Sequence, residues 1–436
     1  MADPLLDDLL DWLRIPSIST GGGLPADLLR AAEWVCERVI AAGGTAAPVT
    51  EHGGNPIAYG ELAASREDAP TVLIYGHYDV QAVGPPEDWD SDPFEPRIEG
   101  GRLYARGASD DKGNFLPLLH VACEMARAGE LPVHVRVLVE GEEEAGGHAV
   151  SDWLAADERG ADAAIVFDSG MADEHTPAIT LGLRGMVMTS LEVRTGRRDL
   201  HSGMYGGSAM NAIHVLHQVL AAVMPGPDGR LREELREGIA PASPDELASW
   251  ARLKPGDEVI AEVGGVPIHP GAGAEYYERN GADASLDVNF VEAGEPRTVL
   301  AGSARAVLSI RLAPGQDPAV IDAALRRLLT EATPEGAELT IETMLAHPSL
   351  FAPDSPAMLA ARAAIERATG TAPALVRSGG SIPIVAELAA KGIPTIVSGF
   401  ALPDDDIHAP NESFRLESLR LGEAAARELF VGLARL

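Results

Sequence analysis

Four segments of this 436-residue chain place imidazole or carboxylate groups shortly after an apolar run. In the first of them, TVLIYGHYD, the run Val72–Tyr75 is followed by a histidine and an aspartate two residues apart. Apolar runs of this length are typical of buried parallel strands, and open α/β sheets bind ligands beyond the carboxyl ends of such strands. The groups expected at this sheet edge are His77 and Asp79, Glu142 to Glu144, Asp168, and His408.

A further acidic pair, Asp110 and Asp111, occurs in ARGASDDKG just before a long helix-like segment. Imidazole nitrogens and carboxylate oxygens without thiolates suit Zn, Mn or Co rather than a structural cysteine–zinc site. In the H-x-D spacing, the acid can accept the second N–H of a metal-bound imidazole and orient the ring. These residue types indicate a metal centre, and a carboxylate shared by two ions would make it a di-metal hydrolytic site.

Each of these motifs has an ordinary structural explanation when it is taken alone. H-x-D is common on surfaces, EGEEE is typical of a solvated charged loop, and DDDIH of an acidic loop. Their joint occurrence after strands favours a metal site. Nucleophilic and nucleotide-binding chemistries are disfavoured, because G-x-S-x-G, HExxH, the P-loop and a G-x-G-x-x-G after a strand are missing, and neither Cys36 nor Cys123 has a catalytic-looking context.

Strand-like and helix-like segments alternate through the first part of the chain, which predicts an α/β domain with a mostly parallel sheet covered by helices on both faces. After about Leu181 the strand-like segments alternate apolar and polar residues instead, as in RAVLSIRLAP. The first pattern returns from Pro356. We therefore predict one domain formed by residues 1–181 and 349–436, interrupted by an inserted α+β domain of residues 182–348.

The net charge of −32 argues against nucleic acid or an anionic membrane as a partner, because both would be repelled. The apolar fraction of 46% is ordinary for a soluble globular protein. No apolar run reaches the roughly 18 residues that a transmembrane helix needs. The acidic start, MADPLLDDLLDWL, lacks the pattern of a signal peptide, so we expect a cytoplasmic protein.

Six motifs, taken in order, resemble one known family: GHYDVQ, DWDSDPF, LYARGASDDKG, EGEEEAGG, DLHSGMYGG and RSGGSIP. Together they are similar to the metallo-dipeptidases of the carnosinase and cytosolic nonspecific dipeptidase type, within the wider group of di-zinc aminoacylases and carboxypeptidases. The similarity covers nearly the whole chain, including the interruption of the first domain. It implies that this domain is catalytic and that the inserted domain is a lid and dimerisation domain.

The resemblance implies two divalent metal ions per subunit, Zn or Mn, with Co also compatible. The five ligands would be His77 and Asp168 for one ion, Glu144 and His408 for the other, and Asp110 as the bridge between them. In this family the peptide bond after the bridging acid is cis, which makes Asp110–Asp111 a candidate. Without the family, Asp111 and Lys112 are explained simply as the polar start of a helix.

The same resemblance implies that Asp79 orients His77 and that Glu143 is the general base for the attacking water. Three successive glutamates in GEEE leave a local ambiguity, because a shift of one residue would exchange base and ligand. Alignment with the family pattern Glu-Gly-x-Glu-Glu puts Glu142 at the variable position. Glu143 is then the expected base and Glu144 the expected ligand.

Further residues are implied to contact the substrate. His201 in DLHSG would reach the active site of another subunit and stabilise the tetrahedral oxyanion, so that a homodimer would be part of the catalyst. Arg311 would bind the C-terminal carboxylate of the substrate through its guanidinium fork, although the pattern alone favours a surface strand arginine. Thr298 and Ser381 occupy family positions near the substrate, and Gly380, with Gly379, would let the chain approach the substrate closely.

We therefore expect a homodimeric, di-metal dipeptidase that cleaves small peptides with a free C-terminal carboxylate. The alternative is a metallo-carboxypeptidase or an N-acyl-amino-acid deacylase of the same group, which would share the metal ligands and differ in the groups that contact the amino end of the substrate. A non-catalytic binding protein with this fold is disfavoured, because the candidate base and the candidate ligands are all present.

Overall fold

The computed structural model describes residues 3–380 and 382–436. The chain divides into two compact units, the first formed by the residues up to 181 with 351–375 and 387–436, and the second by 182–350 with 376–386. The insertion expected from the sequence, 182–348, did not include the segment 376–386. That segment contains the end of one strand and the start of one helix, and nothing in the local pattern RSGGSIPIV marks a domain boundary there.

Helices and strands run through both units. The α-helices are α1 (Pro4–Leu13), α2 (Pro25–Ala41), α3 (Lys112–Ala128), α4 (Ala149–Ala156), α5 (Ser202–Tyr205), α6 (Ala212–Ala221), α7 (Pro244–Trp250), α8 (Gly256–Glu262), α9 (Pro318–Ala332), α10 (Pro356–Thr369), α11 (Pro383–Ala390) and α12 (Leu416–Leu433). The strands are β1 (Thr45–Val49), β2 (Ile57–Leu62), β3 (Thr71–His77), β4 (Arg97–Glu99), β5 (Arg102–Tyr104), β6 (His134–Glu140), β7 (Ala163–Phe167), β8 (Ala178–Leu183), β9 (Gly185–Arg194), β10 (Leu200–His201), β11 (Ser285–Ala293), β12 (Val299–Leu300), β13 (Ser303–Leu312), β14 (Glu338–Ala346), β15 (Ser349–Leu350), β16 (Ala374–Ser378), β17 (Thr395–Ser398) and β18 (Ser413–Arg415). No helix within the described ranges has both the length and the apolar character needed to cross a membrane.

The large sheet of the first unit has the strand order β1-β2-β6-β3-β7-β17-β8. Its four central strands, β6, β3, β7 and β17, are all parallel to their neighbours in that group. They are also its most apolar part, since all five residues of β7 and six of the seven residues of β3 are buried. The predicted fold class is confirmed, and the carboxyl ends of the four strands lie at the same edge of the sheet.

Helices lie on both faces of this sheet. Phe115 of α3 lies over Gly76 of β3, where an added Cβ would come within 2.5 Å of the phenylalanine ring, so that glycine is needed for this approach. Trp153 of α4 packs on Tyr59 of β2, with the ring centroids 5.0 Å apart. In the strand register, Tyr59 and Tyr75 both pair with Leu138, so they point to the same face of the sheet. Gly76 follows Tyr75 and therefore points to the opposite face, which places α3 and α4 on opposite faces.

The second unit is built on a four-stranded antiparallel sheet in the order β11-β13-β9-β14. Along β9 and β13, buried side chains alternate with more exposed ones, which agrees with the alternation in RAVLSIRLAP. The buried side chains Leu308 and Ile310 of β13 belong to one apolar core together with residues of α6 and α9. Arg311, between the buried Ile310 and Leu312, is half-buried on the other face.

Candidate metal centre

Five candidate ligands come together at the edge where the parallel strands end. His77 is the last residue of β3, and Asp168 directly follows β7. Glu144 lies in the turn after β6, His408 in the long loop after β17, and Asp110 just before α3. Because four of the five segments follow neighbouring parallel strands, the sheet itself delivers most of the site.

Asp110 lies between two imidazole rings. Its Oδ1 atom is 3.0 Å from Nε2 of His77, and its Oδ2 atom is 2.9 Å from Nε2 of His408. Glu144 adds an Oε2 atom 3.1 Å from Nε2 of His408, and Asp168 adds an Oδ1 atom 3.9 Å from Nε2 of His77. The site therefore has two halves, each with one imidazole and one carboxylate of its own, that share a third carboxylate.

This donor set fits a divalent metal ion in each half. One group consists of His77, Asp110 and Asp168, the other of Asp110, Glu144 and His408, and within each group the potential ligand atoms lie within 4.8 Å of one another. Nitrogen and oxygen donors without thiolate are typical of catalytic metal sites that keep positions open for substrate. Since each half has three protein donors, a fourth position would remain for water or substrate.

Asp79 contacts both halves from behind the ligands. Nδ1 of His77 is 3.0 Å from the backbone oxygen of Asp79 and 3.5 Å from its Oδ1 atom. The other carboxylate oxygen, Oδ2, accepts hydrogen bonds from Ser19 Oγ at 2.6 Å and from the backbone N–H of Glu144 at 3.1 Å. The nearest acceptor for Nδ1 of His77 is thus the carbonyl oxygen of Asp79. The carboxylate of Asp79 connects this residue to the turn that contains Glu144.

The structure distinguishes the three successive glutamates. Glu142 turns away from the site, because its carboxylate accepts backbone N–H groups of Asn55 at 2.9 Å and Ala149 at 3.2 Å. Glu144 contacts His408 and also accepts a hydrogen bond from Gln81 Nε2 at 2.8 Å. Glu143 makes neither kind of contact, but it lies close enough to Asp110 and His77 to be affected by their charges.

The pKa values of the site reflect an excess of acids in a buried place. Burial would lower the pKa of His77, but its hydrogen bonds to Asp110 and Asp79 outweigh burial and raise that pKa well above its ordinary value. Hydrogen bonds to Asp110 and Glu144 raise the pKa of His408 to about 10. Burial, and then the negative charge of Asp110, raises the pKa of Asp168 and of Glu143.

The start of α3 is buried. The Asp110–Asp111 peptide bond is cis, as expected, and Oδ2 of Asp111 accepts the backbone N–H of His77 at 3.2 Å. Lys112 donates to the backbone oxygen of Ile15 at 2.9 Å, and burial lowers its pKa to about 7. These two residues are therefore part of the packing around the site rather than an exposed helix start.

Two buried acids near the centre were not singled out from the sequence. Asp405 and Glu412 lie on either side of His408 in DDDIHAPNES, and both are fully buried, whereas DDDIH alone predicts an acidic loop. Glu412 hydrogen-bonds the turn that ends in Asp110, and Asp405 hydrogen-bonds Ser109 in that turn. The only local signal was the pair of acids around one histidine, which is equally common in exposed loops.

Among the candidate substrate residues of the second unit, His201 and Thr298 lie close together. His201 of β10 pairs with Val299 of β12, and the next backbone N–H, of Ser202, donates to the oxygen of Thr298 at 3.0 Å. Gly380 is exposed, and its N–H donates to Ser378 Oγ at 3.1 Å. Ser381 lies outside the described residues.

Arg311 has a second guanidinium near it, which the sequence did not suggest. Arg184 is 7% exposed and donates to Ser285 Oγ at 3.2 Å, and Ser285 is the β11 partner of Arg311. Burial, and then the positive charge of Arg311, lowers the pKa of Arg184 to about 10. Within the described part of the chain, neither guanidinium has a carboxylate within the 4.0 Å of an ion pair, so an anion would be attracted to this place.

A parallel α/β sheet with two adjacent sets of imidazole and carboxylate donors at its carboxyl edge defines a metal-dependent hydrolase. The model of peptidase family M20/M25/M40 matches residues 73–431 of the chain. The protein therefore belongs to this peptidase family.

Known relatives agree with this assignment. The chain is 27% identical over 398 residues to the human beta-Ala-His dipeptidase, covering 87% of this chain and 78% of the relative. It is 27% identical over 373 residues to the cysteinylglycine-S-conjugate dipeptidase of Corynebacterium striatum, covering 82% and 80%. The crystal structure of an M20 family metallo-carboxypeptidase from Sulfolobus solfataricus matches with a TM-score of 0.85 and 26% identity over 100% of both chains. The expected resemblance is confirmed, and the protein is a metallopeptidase.

Binding of divalent metal at this centre should strengthen as the pH rises. Both imidazoles have raised pKa values, so they carry protons near neutral pH and must release them before they can coordinate an ion. One proton released per ion changes the affinity by roughly tenfold per pH unit. We expect calorimetric titration of the metal-free protein with Zn²⁺ to show weaker binding at about pH 6 than at about pH 8, with proton uptake by the buffer. An affinity independent of pH would contradict this protonation state.

Proposed function

We propose that this metallopeptidase hydrolyses the single peptide bond of dipeptides that have a free C-terminal carboxylate. The observation that carries the proposal is Asp110, whose two carboxylate oxygens face the two imidazoles at 3.0 and 2.9 Å. This arrangement suits two adjacent ions, a common device for activating water in hydrolases. The substrate class is supported by relatives named beta-Ala-His dipeptidase and cysteinylglycine-S-conjugate dipeptidase.

Each proposed ligand has a position consistent with its role. His77 and Asp168 would hold one ion, and Glu144 and His408 the other. Asp110 would bind both, and Asp79 would fix the orientation of His77. When bound, the two ions supply a polarised scissile carbonyl and a more acidic attacking water. Zn²⁺ and Mn²⁺ both suit a site with two imidazoles and three carboxylates.

Glu143 is proposed to take the proton of the attacking water and pass it to the leaving amine. It is the glutamate of the triplet that neither contacts His408 nor caps a neighbouring loop. Burial and the nearby acids raise its pKa, which brings it closer to the working pH of a general base.

A carboxylate-binding role of Arg311 is supported by the absence of an acidic partner within the described ranges and by Arg184 beside it. Two guanidiniums near one another attract an anion locally, although the net charge of the chain is −32. The guanidinium fork suits the free carboxylate that dipeptides and carboxypeptidase substrates share. Thr298, Gly380 and Ser381 are proposed as lesser contacts of the same substrate.

We also propose a homodimer in which His201 acts in the active site of the partner. The ring of His201 is exposed, and its Nδ1 atom accepts a hydrogen bond from the N–H of Gly203 at 3.1 Å, which leaves Nε2 to face an oxyanion. The following helix carries Met204 and Tyr205, which are 73% and 43% exposed. Exposed apolar side chains beside His201 are what a subunit interface needs. A cytoplasmic location stays a prediction of the sequence.

A metallo-carboxypeptidase is the second candidate, and the Sulfolobus solfataricus structure favours it specifically. Such an enzyme would use the same ions and the same Arg311. It would differ by accepting longer or N-blocked substrates.

A panel of dipeptides, tripeptides and N-acetylated amino acids separates these functions. We expect the metal-loaded enzyme to show its highest kcat/KM with dipeptides, because only dipeptides carry both a free amino group and a free carboxylate one residue from the scissile bond. Faster cleavage of tripeptides would show that the protein is a carboxypeptidase rather than a dipeptidase. Faster cleavage of N-acetylated amino acids would show that it is a deacylase.

Glu143→Gln should lower kcat by roughly 10²- to 10⁴-fold, the usual contribution of a general base, while leaving the metal content at the wild-type level. Glu142→Gln is the matched control, because it changes the neighbouring glutamate that accepts N–H groups of Asn55 and Ala149. We expect that control to retain most of kcat. If Glu142→Gln is the inactive variant instead, the assignment within the triplet is wrong.

His201→Ala and Glu143→Gln subunits should be inactive alone and active when they are mixed. In a mixed dimer, one site combines the intact Glu143 of one chain with the intact His201 of the other. Statistical mixing would then restore about a quarter of the wild-type activity. The measurement is dipeptide turnover after co-refolding or co-expression, and no restoration would show that His201 does not act across an interface.

A further inference from the structure

The loop that carries His408 has little backbone regularity to hold it in place. It runs from Asp405 to Ser413, and its ends meet through a hydrogen bond from the N–H of Ser413 to the oxygen of Asp405 at 2.9 Å. Inside it, His408 and Asn411 both have a φ of 63°, in the left-handed region that non-glycine residues seldom adopt. Contacts between the loop and another part of the chain must therefore determine where the imidazole of His408 lies.

The carboxylate of Glu412 connects the loop to the turn before Asp110. Its Oε1 atom accepts the backbone N–H groups of Ser109 at 2.9 Å and Asp110 at 3.0 Å. Its Oε2 atom accepts the N–H of Gly107 at 2.9 Å and Nη1 of Arg106 at 2.8 Å. One carboxylate thus satisfies three backbone donors of the turn that ends in the bridging acid, and both of its oxygens are fully used.

The hydrogen bonds of Glu412 are shielded from water. Glu412 is fully buried, and Arg106 is 1% exposed. A carboxylate removed from water is retained only where charge and hydrogen bonds compensate it, and here a guanidinium and three N–H groups do so. The turn before Asp110 consequently has little freedom to move relative to Glu412.

Asp405 ties the other end of the loop to the same turn. Its Oδ2 atom accepts Ser109 Oγ at 2.8 Å and the N–H of Leu402 at 2.8 Å. The loop of His408 is therefore attached on both sides of the histidine to the residues immediately before Asp110. Of the two attachments, only Glu412 contacts Asp110 itself.

We infer that Glu412 is the positioning residue that fixes the separation of Asp110 and His408, and so the geometry of the metal site that these two residues form with Glu144. This inference rests on the proposed function. Glu412 acts through the backbone N–H of Asp110 and through the loop of His408, not by contact with the proposed ligand atoms. Metal sites require their ligands to be held within about 0.5 Å, and loss of residues that support ligands typically weakens metal binding about 10- to 100-fold.

A purely structural role of the Glu412–Arg106 pair is the competing explanation, and the first unit contains a matched control for it. Arg136 and Asp157 form another buried ion pair, with a 2.7 Å contact and side chains 4% and 7% exposed. Neither residue contacts a proposed ligand or the loop of His408. Asp157→Asn therefore tests the cost of breaking a buried pair without touching the metal site.

The experiment compares Glu412→Gln with Asp157→Asn by Zn²⁺ competition against a chromogenic chelator and by thermal unfolding of the metal-free protein. Both variants should unfold at lower temperature than the wild type. Only Glu412→Gln should lose Zn²⁺ affinity, by about 10- to 100-fold at the more weakly bound ion, while Asp157→Asn stays within about twofold of wild type. Affinity within twofold of wild type in Glu412→Gln, or an equal loss in Asp157→Asn, overturns the inference.

Glu412→Asp decides the matter should Glu412→Gln fail to fold. Aspartate keeps an anion beside Arg106 but withdraws the carboxylate by about 1.5 Å, the length of one carbon–carbon bond, from the N–H groups of the turn. We expect a folded protein with the same loss of Zn²⁺ affinity, and wild-type affinity would again overturn the positioning role. The assay uses no peptide, so a wild-type protein that binds no pair of Zn²⁺ ions would count against the proposed function and not merely against Glu412.

Discussion

The contact of one carboxylate with two imidazoles is the interaction on which the site depends. Asp110 presents one oxygen to His77 and the other to His408, so neither ring can move without changing the surroundings of the other. Asp79, Glu144 and Asp168 bring further carboxylates to the same place. Carboxylates then outnumber the imidazoles, and burial first, then the charges of the neighbouring acids, raises the pKa of Asp168. Divalent cations would remove the imbalance.

The fold delivers these groups in two different ways. His77 and Asp168 stand at the ends of adjacent parallel strands, and the sheet alone brings them together. Asp110 and His408 lie in loops, 298 residues apart in the chain, and side-chain hydrogen bonds have to hold them. The buried carboxylates of Glu412 and Asp405 do this, so the rigid and the irregular parts of the site have separate supports. A carboxylate suits this task because each oxygen can accept more than one N–H.

The second unit contributes a different kind of chemistry. Among the described residues, Arg184 and Arg311 lie near one another with no carboxylate within ion-pair distance of either, and the more distant charges of Asp287 and Asp283 act against their mutual repulsion. A bound anion would do the same at closer range. Dipeptides and carboxypeptidase substrates both carry such an anion, so this feature is common to the two candidate functions. What separates them is the other end of the substrate, where the amino group or the next residue would lie.

The sequence by itself determined the fold class, the strand ends and the types of the candidate ligands, because apolar runs and the residues directly after them are local properties of the chain. The family motifs added roles for those residues. The sequence could not separate Glu142 from Glu143 and Glu144 by pattern alone, since three identical neighbours carry the same local information. Only the tertiary structure turns Glu142 toward Asn55. The tertiary structure also brings Glu412 to Asp110 and Arg184 to Ser285, across 302 and 101 residues of sequence. Side-chain type alone predicts no contact between residues so far apart in the chain.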